Sequence, residues 1–298
     1  MQIVKLGEQL NCPVVLCLGF FGTMHKGHAE LLSRAKMRAR MTNAKVALFT
    51  FDNNHLAVLK RDESVVYTYD ERLSIYQSLG VDYVITANFN DNFKSLTGKE
   101  FLSKLSNYDL DCGIFCGFDY RCGSDRLDAL GIRKYFKQTK DYPVYIVEQI
   151  DADGEKVSTS LIKKYISSNR IDKANGLLSE PFFVDGKVIH GRGVGKTLGY
   201  PTANVAVPAE KILPVGVFSA NVNVDGTEYR AIVNIGNAPT FGVASKTLEA
   251  HLINFNGDLY GKTLKISLLK YLRSITKFNS AEELRAQLKK DTEAALND

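Results

Sequence analysis

Along the first half of the chain, short apolar runs of strand length alternate with stretches of helical period. Segments 14–20, 45–51, 83–89, 112–117 and 142–150 are near-continuously apolar and read as strands. Between them, 28–41 places Leu31, Leu32, Ala35 and Ala39 on one stripe, and 70–79, 98–105 and 125–138 repeat that period. Apolar strands separated by helices predict an α/β domain with a parallel sheet covered on both faces. Leu161, Ile162, Tyr165 and Ile166 form one more apolar stripe, opened by Ser158, Thr159 and Ser160. The stretch 167–180 that follows is polar and helical at best, and the domain boundary is placed there.

The second half changes period. Segments 217–224 and 227–235 flank Asp225-Gly226, a pair suited to the two positive φ angles of a type I′ hairpin turn. Segments 248–255 and 264–272 add strands, and several strands with tight turns predict a small antiparallel barrel. Residues 280–296 close the chain as an amphipathic helix, with Ser280 as cap and Glu283 three residues on. The expected organisation is a Rossmann-like domain over 1–175 and a β-barrel domain with a terminal helix over 180–298.

Composition narrows the classes. With 298 residues, 45% hydrophobic and 24% charged, the chain is neither disordered, collagen-like nor a disulfide scaffold. The net charge of +5 comes from scattered residues, and a short cluster such as Arg34, Lys36, Arg38 and Arg40 reads as a solvated helix face. That balance suits small anionic ligands such as nucleotides better than nucleic acid. The five cysteines are odd in number and show no C-x-x-C spacing, so they read as reduced thiols. A zinc site from Cys112, Cys116 and Cys122 is the less favoured alternative. No signal-peptide pattern opens the chain, and no run approaches the ~18 apolar residues of a membrane span. A cytoplasmic protein without membrane partners is expected, as a monomer or weak homo-oligomer.

Two segments carry candidate chemistry. Gly19-Phe20-Phe21-Gly22-Thr23-Met24-His25-Lys26-Gly27-His28 runs from a strand into a helix. Ligands of parallel sheets bind where strand ends meet helix starts, and free N–H groups there favour phosphate. His25 and His28, three apart, can point the same way and donate to phosphate oxygens, and Gly27 permits close backbone approach. The plain alternative is two surface histidines beside a helix cap. The spacing is not that of an H-E-x-x-H metal pair. Far along, Ser158, Thr159 and Ser160 open a helix as a second phosphate cradle, with Lys163 as counter-charge. The second segment is Gly191-Arg192-Gly193-Val194-Gly195-Lys196-Thr197. It falls one residue short of a Walker A loop, because His190 stands where glycine is needed.

The H-x-G-H segment with the late hydroxyl motif resembles the nucleotidyltransferase superfamily, and the whole chain resembles the bacterial riboflavin kinase/FMN adenylyltransferase (FAD synthetase) family. Phe20, Gly22 and Thr23 replace that family's Asn, Asp and Gly, and Lys163 its last Arg. In Thr50-Phe51-Asp52-Asn53-Asn54-His55 both family prolines are gone. Gly117–Gly123 resembles the segment bordering flavin and nucleotide, which implies flavin contacts from Asp119, Tyr120 and Arg121. The glycine segment continues into Leu198-Gly199-Tyr200-Pro201-Thr202-Ala203-Asn204, which resembles the riboflavin kinase signature. Gly191, Gly193, Gly195 and Lys196 would wrap phosphates. Thr202 and Asn204 supply the hard oxygen ligands suited to Mg²⁺ beside ATP.

Asn234-Ile235-Gly236 with Pro239-Thr240-Phe241, then Thr247-Leu248-Glu249-Ala250-His251 and Asp258-Leu259-Tyr260-Gly261, keep the family's order. The resemblance implies Glu249 as general base and Arg273 in the closing motif at the flavin, where Ile275 replaces a usual Glu. It implies a nucleotidyltransferase domain making FAD from FMN and ATP, and a kinase domain making FMN from riboflavin, ATP and Mg²⁺. The altered first motif motivates an alternative, a kinase with a weak or re-purposed adenylyltransferase domain. A flavin-binding regulator is a third reading, against which Thr202, Asn204 and Glu249 all stand.

Overall fold

The computed structural model describes residues 1–60, 63–152, 154–191, 199–238 and 245–298. Packing divides them into two units, Met1–Val65 with Tyr69–Val157, and Val66–Thr68 with Ser158–Asp298.

The first unit is built on one parallel sheet. Its strands are β1 Gln2–Lys5, β2 Val14–Leu18, β3 Lys45–Phe51, β4 Tyr83–Ala87, β5 Ile114–Gly117 and β6 Val144–Val147. They lie in the order β1-β4-β3-β2-β5-β6. All five residues of β2 are buried because both faces are covered. Val14, Leu16 and Leu18 join Phe101, Leu102, Leu105, Ile132 and Phe136 in one core cluster. Val15 and Cys17, on the opposite face by strand alternation, are equally buried. Each such aliphatic side chain contributes about 1.5–3 kcal/mol.

The helix α1, Lys26–Thr42, buries the expected stripe of Leu31, Leu32, Ala35 and Ala39, and ends on Asn43 at φ 51°. α2 is Tyr69–Ser78, and α3, Gly98–Leu105, starts from a Thr97/Glu100 capping box. α4 spans Ala129–Thr139, later than the expected start at 125. Asp128 is its cap, and Arg121–Cys122 pairs with Leu127–Asp128 in a short hairpin before it. β1 was not expected. It has four residues, mostly exposed, and only its pairing with β4 makes it a strand.

In the second unit α5, Thr159–Ser167, and α6, Ile171–Leu177, precede the barrel. The stretch read as a polar boundary is thus a packed helix, burying Ile171, Ala174 and Leu177. Asn175 Nδ2 donates to Leu268 O at 2.9 Å, and its Oδ1 accepts from Phe182 N at 2.7 Å. By packing, the division therefore falls at Val157/Ser158 rather than near 175.

The barrel strands are β7 Phe183–Ile189, β8 Ala203–Ala206, β9 Gly216–Val224, β10 Thr227–Ala238, β11 Ser245–Leu252 and β12 Thr263–Arg273. They close in the order β7-β8-β11-β10-β9-β12. At the β9–β10 turn, Asp225 and Gly226 have φ of 52° and 89°, the two positive angles the hairpin requires. The terminal helix α7, Ala281–Asn297, is capped by Ser280, which accepts from Glu283 N at 3.2 Å. Glu283 reaches back to Asn279 N, one residue before the cap. Val217, Ile232, Ile253 of the barrel and Ala295 of α7 bury one another.

Candidate active sites

The first site begins where β2 ends. Phe21 and Met24 are fully buried and hold φ of 52° and 37°, a left-handed conformation costly for bulky residues. Neighbouring side chains fix this turn. The Tyr76 hydroxyl donates to Phe21 O at 3.0 Å, and Thr50 Oγ1 to Phe20 O at 2.8 Å. Arg72, 3% exposed, donates to Thr50 Oγ1 at 2.8 Å and to Phe51 O at 3.0 Å, and lies 4.8 Å over the Phe20 ring. A Cβ on Gly22 would stand 2.4 Å from that ring, and one on Gly19 2.9 Å from the Phe21 ring. The residues that depart from the family motif are built into the turn. A bonding group likewise stands at one of the two absent prolines, position 53, and the other, position 55, opens a short helix. Asn53 exchanges two hydrogen bonds of 2.9 Å with Phe89, and Asn54 caps the short helix His55–Val58.

His25 caps α1. Its Nδ1 accepts from His28 N at 3.3 Å, and the two rings stack at 3.8 Å. Burial pushes His25 from about 6.5 down to about 4, opposed by the nearby Asp119 carboxylate. Burial, and then His25, hold His28 well below the ordinary histidine value. Both rings are neutral near pH 7. Because His25 Nδ1 accepts, its proton sits on Nε2, free to donate. His28 Nδ1 is buried and has no hydrogen-bond partner among the described residues. A Cβ on Gly27 would touch the His25 ring at 3.2 Å, so glycine leaves the ring and helix start open to a ligand. The N–H groups that open α1 could add donors to an anion there.

β5 lies beside β2, with Cys116 opposite Leu18, so Gly117-Phe118-Asp119 leaves the sheet next to the histidine turn. The three expected flavin residues there have different surroundings. Asp119 pairs with Lys156. Tyr120 packs against the core, where burial pushes its hydroxyl well above its usual value. Arg121 is exposed, 4.0 Å from Asp128. Ser158 caps α5, accepting from Leu161 N at 3.3 Å. Thr159 and Ser160 open that helix, with Lys163 half-buried one turn on. These four belong to the second unit by packing.

The barrel site follows from strand alternation. Ala203, Val205, Leu248, Ala250, Val233 and Ile235 are buried. Their neighbours Thr202, Asn204, Glu249, His251 and Asn234 therefore share the other face. Register aligns three of them, because Glu249 pairs with Asn204 on one side and with Asn234 on the other. A cavity of about 320 Å³ between this face and α7 is lined by Thr202, Asn234, Glu249, His251, Arg273 and Leu288. A second cavity of about 340 Å³ is lined by Thr202, Val188, Asp258 and Tyr260. Thr202 belongs to both. Tyr260 stacks on His190 at 4.0 Å, and His251 Nδ1 donates to Pro201 O at 2.8 Å.

Arg273 grips Asp291 of α7 through Nε and Nη2, at 2.8–3.1 Å, and Gln287 adds a bond to the same carboxylate. Gly191 backs onto Asn204. Gly193, Gly195 and Lys196, and Pro239-Thr240-Phe241, lie outside the described residues.

A hydroxyl and an amide oxygen two residues apart on one strand face are hard donors that fit Mg²⁺, which completes its shell with waters and substrate phosphates. Among the described residues no group of three or more His, Cys, Asp or Glu could hold a metal. The five cysteines are free thiols, and burial pushes Cys116 and Cys122 up to about 12. Sequence reasoning missed Asp291 as a member of the cavity, and took Asn234 and His251 only as parts of motifs. Alternation on β10 and β11 could have found Asn234 and His251. Asp291 offered no signal, since its partner lies on another element.

Comparison with known proteins matches both halves. The riboflavin kinase family model covers residues 178–297, and the FAD synthetase model residues 7–161. A bifunctional riboflavin kinase/FMN adenylyltransferase of Bacillus subtilis is 32% identical over 292 residues, covering 95% of this chain and 91% of that protein. Its counterpart in Escherichia coli strain K12 is 29% identical over 282 residues, covering 93% and 90%. A crystal structure from Streptococcus pneumoniae, described as a macrolide-efflux protein, matches with TM-score 0.89 at 31% identity over 99% of both chains. In the present chain no helix among the described residues is long and apolar enough to cross a membrane.

Proposed function

This chain belongs to the bifunctional riboflavin kinase/FMN adenylyltransferase family, and from that premise we propose how its two sites divide the work. It is a transferase of flavin cofactor synthesis, making FMN from riboflavin and ATP, and FAD from FMN and ATP.

At the barrel, Glu249 takes the proton of the ribityl hydroxyl as that oxygen attacks the γ-phosphorus of ATP, and ADP leaves. Phosphoryl transfer asks for an oriented hydroxyl, a carboxylate in reach and charge neutralisation at the phosphates. Thr202 and Asn204 would hold Mg²⁺, which would supply that neutralisation. Gly191, Gly193, Gly195 and Lys196 cradle the phosphates, and the cavity bearing Arg273 takes the flavin. The observation that carries this reading is the meeting of two cavities at Thr202, with Glu249 in register beside Asn204.

At the histidine turn, an FMN phosphate oxygen attacks the α-phosphorus of ATP, and pyrophosphate leaves. No covalent enzyme intermediate is needed. Neutral His25 and His28 donate to phosphate oxygens as charge builds. Gly19 and Gly27 open the turn. At the start of α5, Ser158, Thr159 and Ser160 form a second phosphate cradle with Lys163 as counter-charge. Asp119, Tyr120 and Arg121 border the flavin. In functional terms the adenylyltransferase spans 1–175 and the kinase 180–298. The enzyme acts in the cytoplasm as a monomer or weak homo-oligomer, with small-molecule partners only.

The test is direct. Purified protein is incubated with ATP and Mg²⁺, once with riboflavin and once with FMN, and the flavins are separated by chromatography. FMN from the first and FAD from the second are expected. FMN without FAD, with reduced FMN also tried, would overturn the adenylyltransferase assignment in favour of a kinase alone. Neither product would overturn both.

A further inference from the structure

One cation at the histidine turn has no part in the reactions as assigned above. Lys156 Nζ binds the Asp119 carboxylate across 37 residues of sequence, and its ammonium lies 5.0 Å over the Phe118 ring. Two chain segments bring it there. Phe118 and Asp119 follow β5, and Phe118 N is tied to Val147 O at the end of β6. Lys156 sits on a short hairpin in which Glu155-Lys156 pairs with Asp151-Ala152, and Val157 N returns to Ile150 O. Both charges are felt at His25, the carboxylate raising and the ammonium lowering its pKa. The pair therefore stands beside the two imidazoles at the start of α1.

We propose that Lys156 is a catalytic residue of adenylyl transfer, held by Asp119 until the ATP phosphates take over its ammonium. The inference rests on the adenylyltransferase reading of this site. The side chains of Lys156 and Asp119 are 43% and 53% exposed, so the pair is solvent-screened and weak. A polyphosphate carries several negative charges and outcompetes a single screened carboxylate. Lysine suits the exchange, because its ammonium is a compact charge on a flexible stem with three rotatable donors. The exposed Phe118 ring gives the ammonium a second favourable surface between its two positions. In the reaction, the new bond joins the FMN phosphate oxygen to the α-phosphorus. The bond between the α-phosphorus and the bridging oxygen breaks, and both its electrons leave with pyrophosphate. The charge that develops on that oxygen is what Lys156 meets. No proton changes hands at Lys156.

The test measures FAD formation from FMN and ATP, with riboflavin phosphorylation by the same chain as internal control. Lys156→Met should lower kcat for FAD formation about 10²-fold, weaken product inhibition by pyrophosphate, and leave FMN formation unchanged. Lys156→Arg, which keeps the charge, should restore most of the rate. Asp119→Asn should tighten pyrophosphate inhibition in the natural chain and do so less in the Lys156→Met background. Unchanged kcat and unchanged pyrophosphate inhibition in Lys156→Met would overturn the proposal. An arginine variant as slow as the methionine variant would overturn it too. Absence of FAD formation by the natural chain would instead overturn the adenylyltransferase reading beneath it.

Discussion

A Cβ placed on Gly191 would lie 2.0 Å from Asn204 Nδ2 and 2.7 Å from its Oδ1. Real Cβ atoms do not approach that closely, so any larger residue at 191 displaces the Asn204 carboxamide. That amide is next to Glu249 in the ladder and supplies one proposed metal ligand. Gly191→Ala should therefore lower riboflavin phosphorylation about 10²-fold through misplacement alone. It should spare FAD formation from supplied FMN. Gly191 is exposed, so urea unfolding should shift little. Full kinase activity in the alanine variant would show that Asn204 does not set the rate.

The two sites should fail independently. Glu249→Gln keeps the shape of the side chain and removes the base, and should lower FMN formation about 10²–10⁴-fold. FAD formation from supplied FMN should persist. His28→Ala should do the reverse. Loss of both activities from either substitution in a folded protein would refute the two-site arrangement. Chromatography of the flavins from each variant decides it.

Both halves of the fold were legible because period and burial agree. The apolar run 14–20 has the length and continuity of a strand covered on both faces, and Asp225-Gly226 between two strand-like runs marks a tight hairpin. β1 was not legible, since four mostly exposed residues acquire strand geometry only from β4. α6, in a stretch that reads as helical at best, was only faintly legible for a related reason. Ile171, Ala174 and Leu177 make a short stripe inside a polar stretch, and the barrel it packs on lies further along the chain. Among the candidate site residues, Glu249 and His25 stand in local motifs that the sequence displays. Lys156, Arg72 and Asp291 do not, because each acquires its role from a partner distant in sequence. The departures at Phe20, Gly22 and Thr23 became interpretable only once Thr50, Arg72 and Tyr76 were seen to hold that turn.

Burial of His25 makes stability depend on pH. The folded chain titrates it at about 4, against about 6.5 for the ordinary group. Between those values the unfolded chain binds more protons, so stability is complete above 6.5 and is lost as pH falls toward 4. The slope is about 1.4 kcal/mol per pH unit for one group, and His28 shifts in the same direction. His25→Asn keeps a helix cap and removes the titration. Urea midpoints across that range should fall less steeply for the variant. An identical slope would show that His25 titrates normally in the folded state. The rate of adenylyl transfer should also show no histidine inflection near pH 6.5, because both rings are already neutral there.

The Arg273–Asp291 grip combines two roles that substitutions can separate. Asp291 is 3% exposed, and removal of Arg273 leaves its carboxylate with Gln287 as the remaining described partner. Arg273→Met should cost roughly 3 kcal/mol of stability, the penalty of stranding a buried charge. Replacing both, as Arg273→Met with Asp291→Leu, should recover most of it, since an apolar pair of similar volume carries no desolvation penalty. Riboflavin binding should not recover. Arg273 lines the cavity beside Glu249 and Asn234, and among the described residues the double variant has no Lys or Arg there. Urea melts should thus separate the single from the double variant, while both show a raised KM for riboflavin. A double variant with normal KM would limit Arg273 to fastening α7 against the barrel.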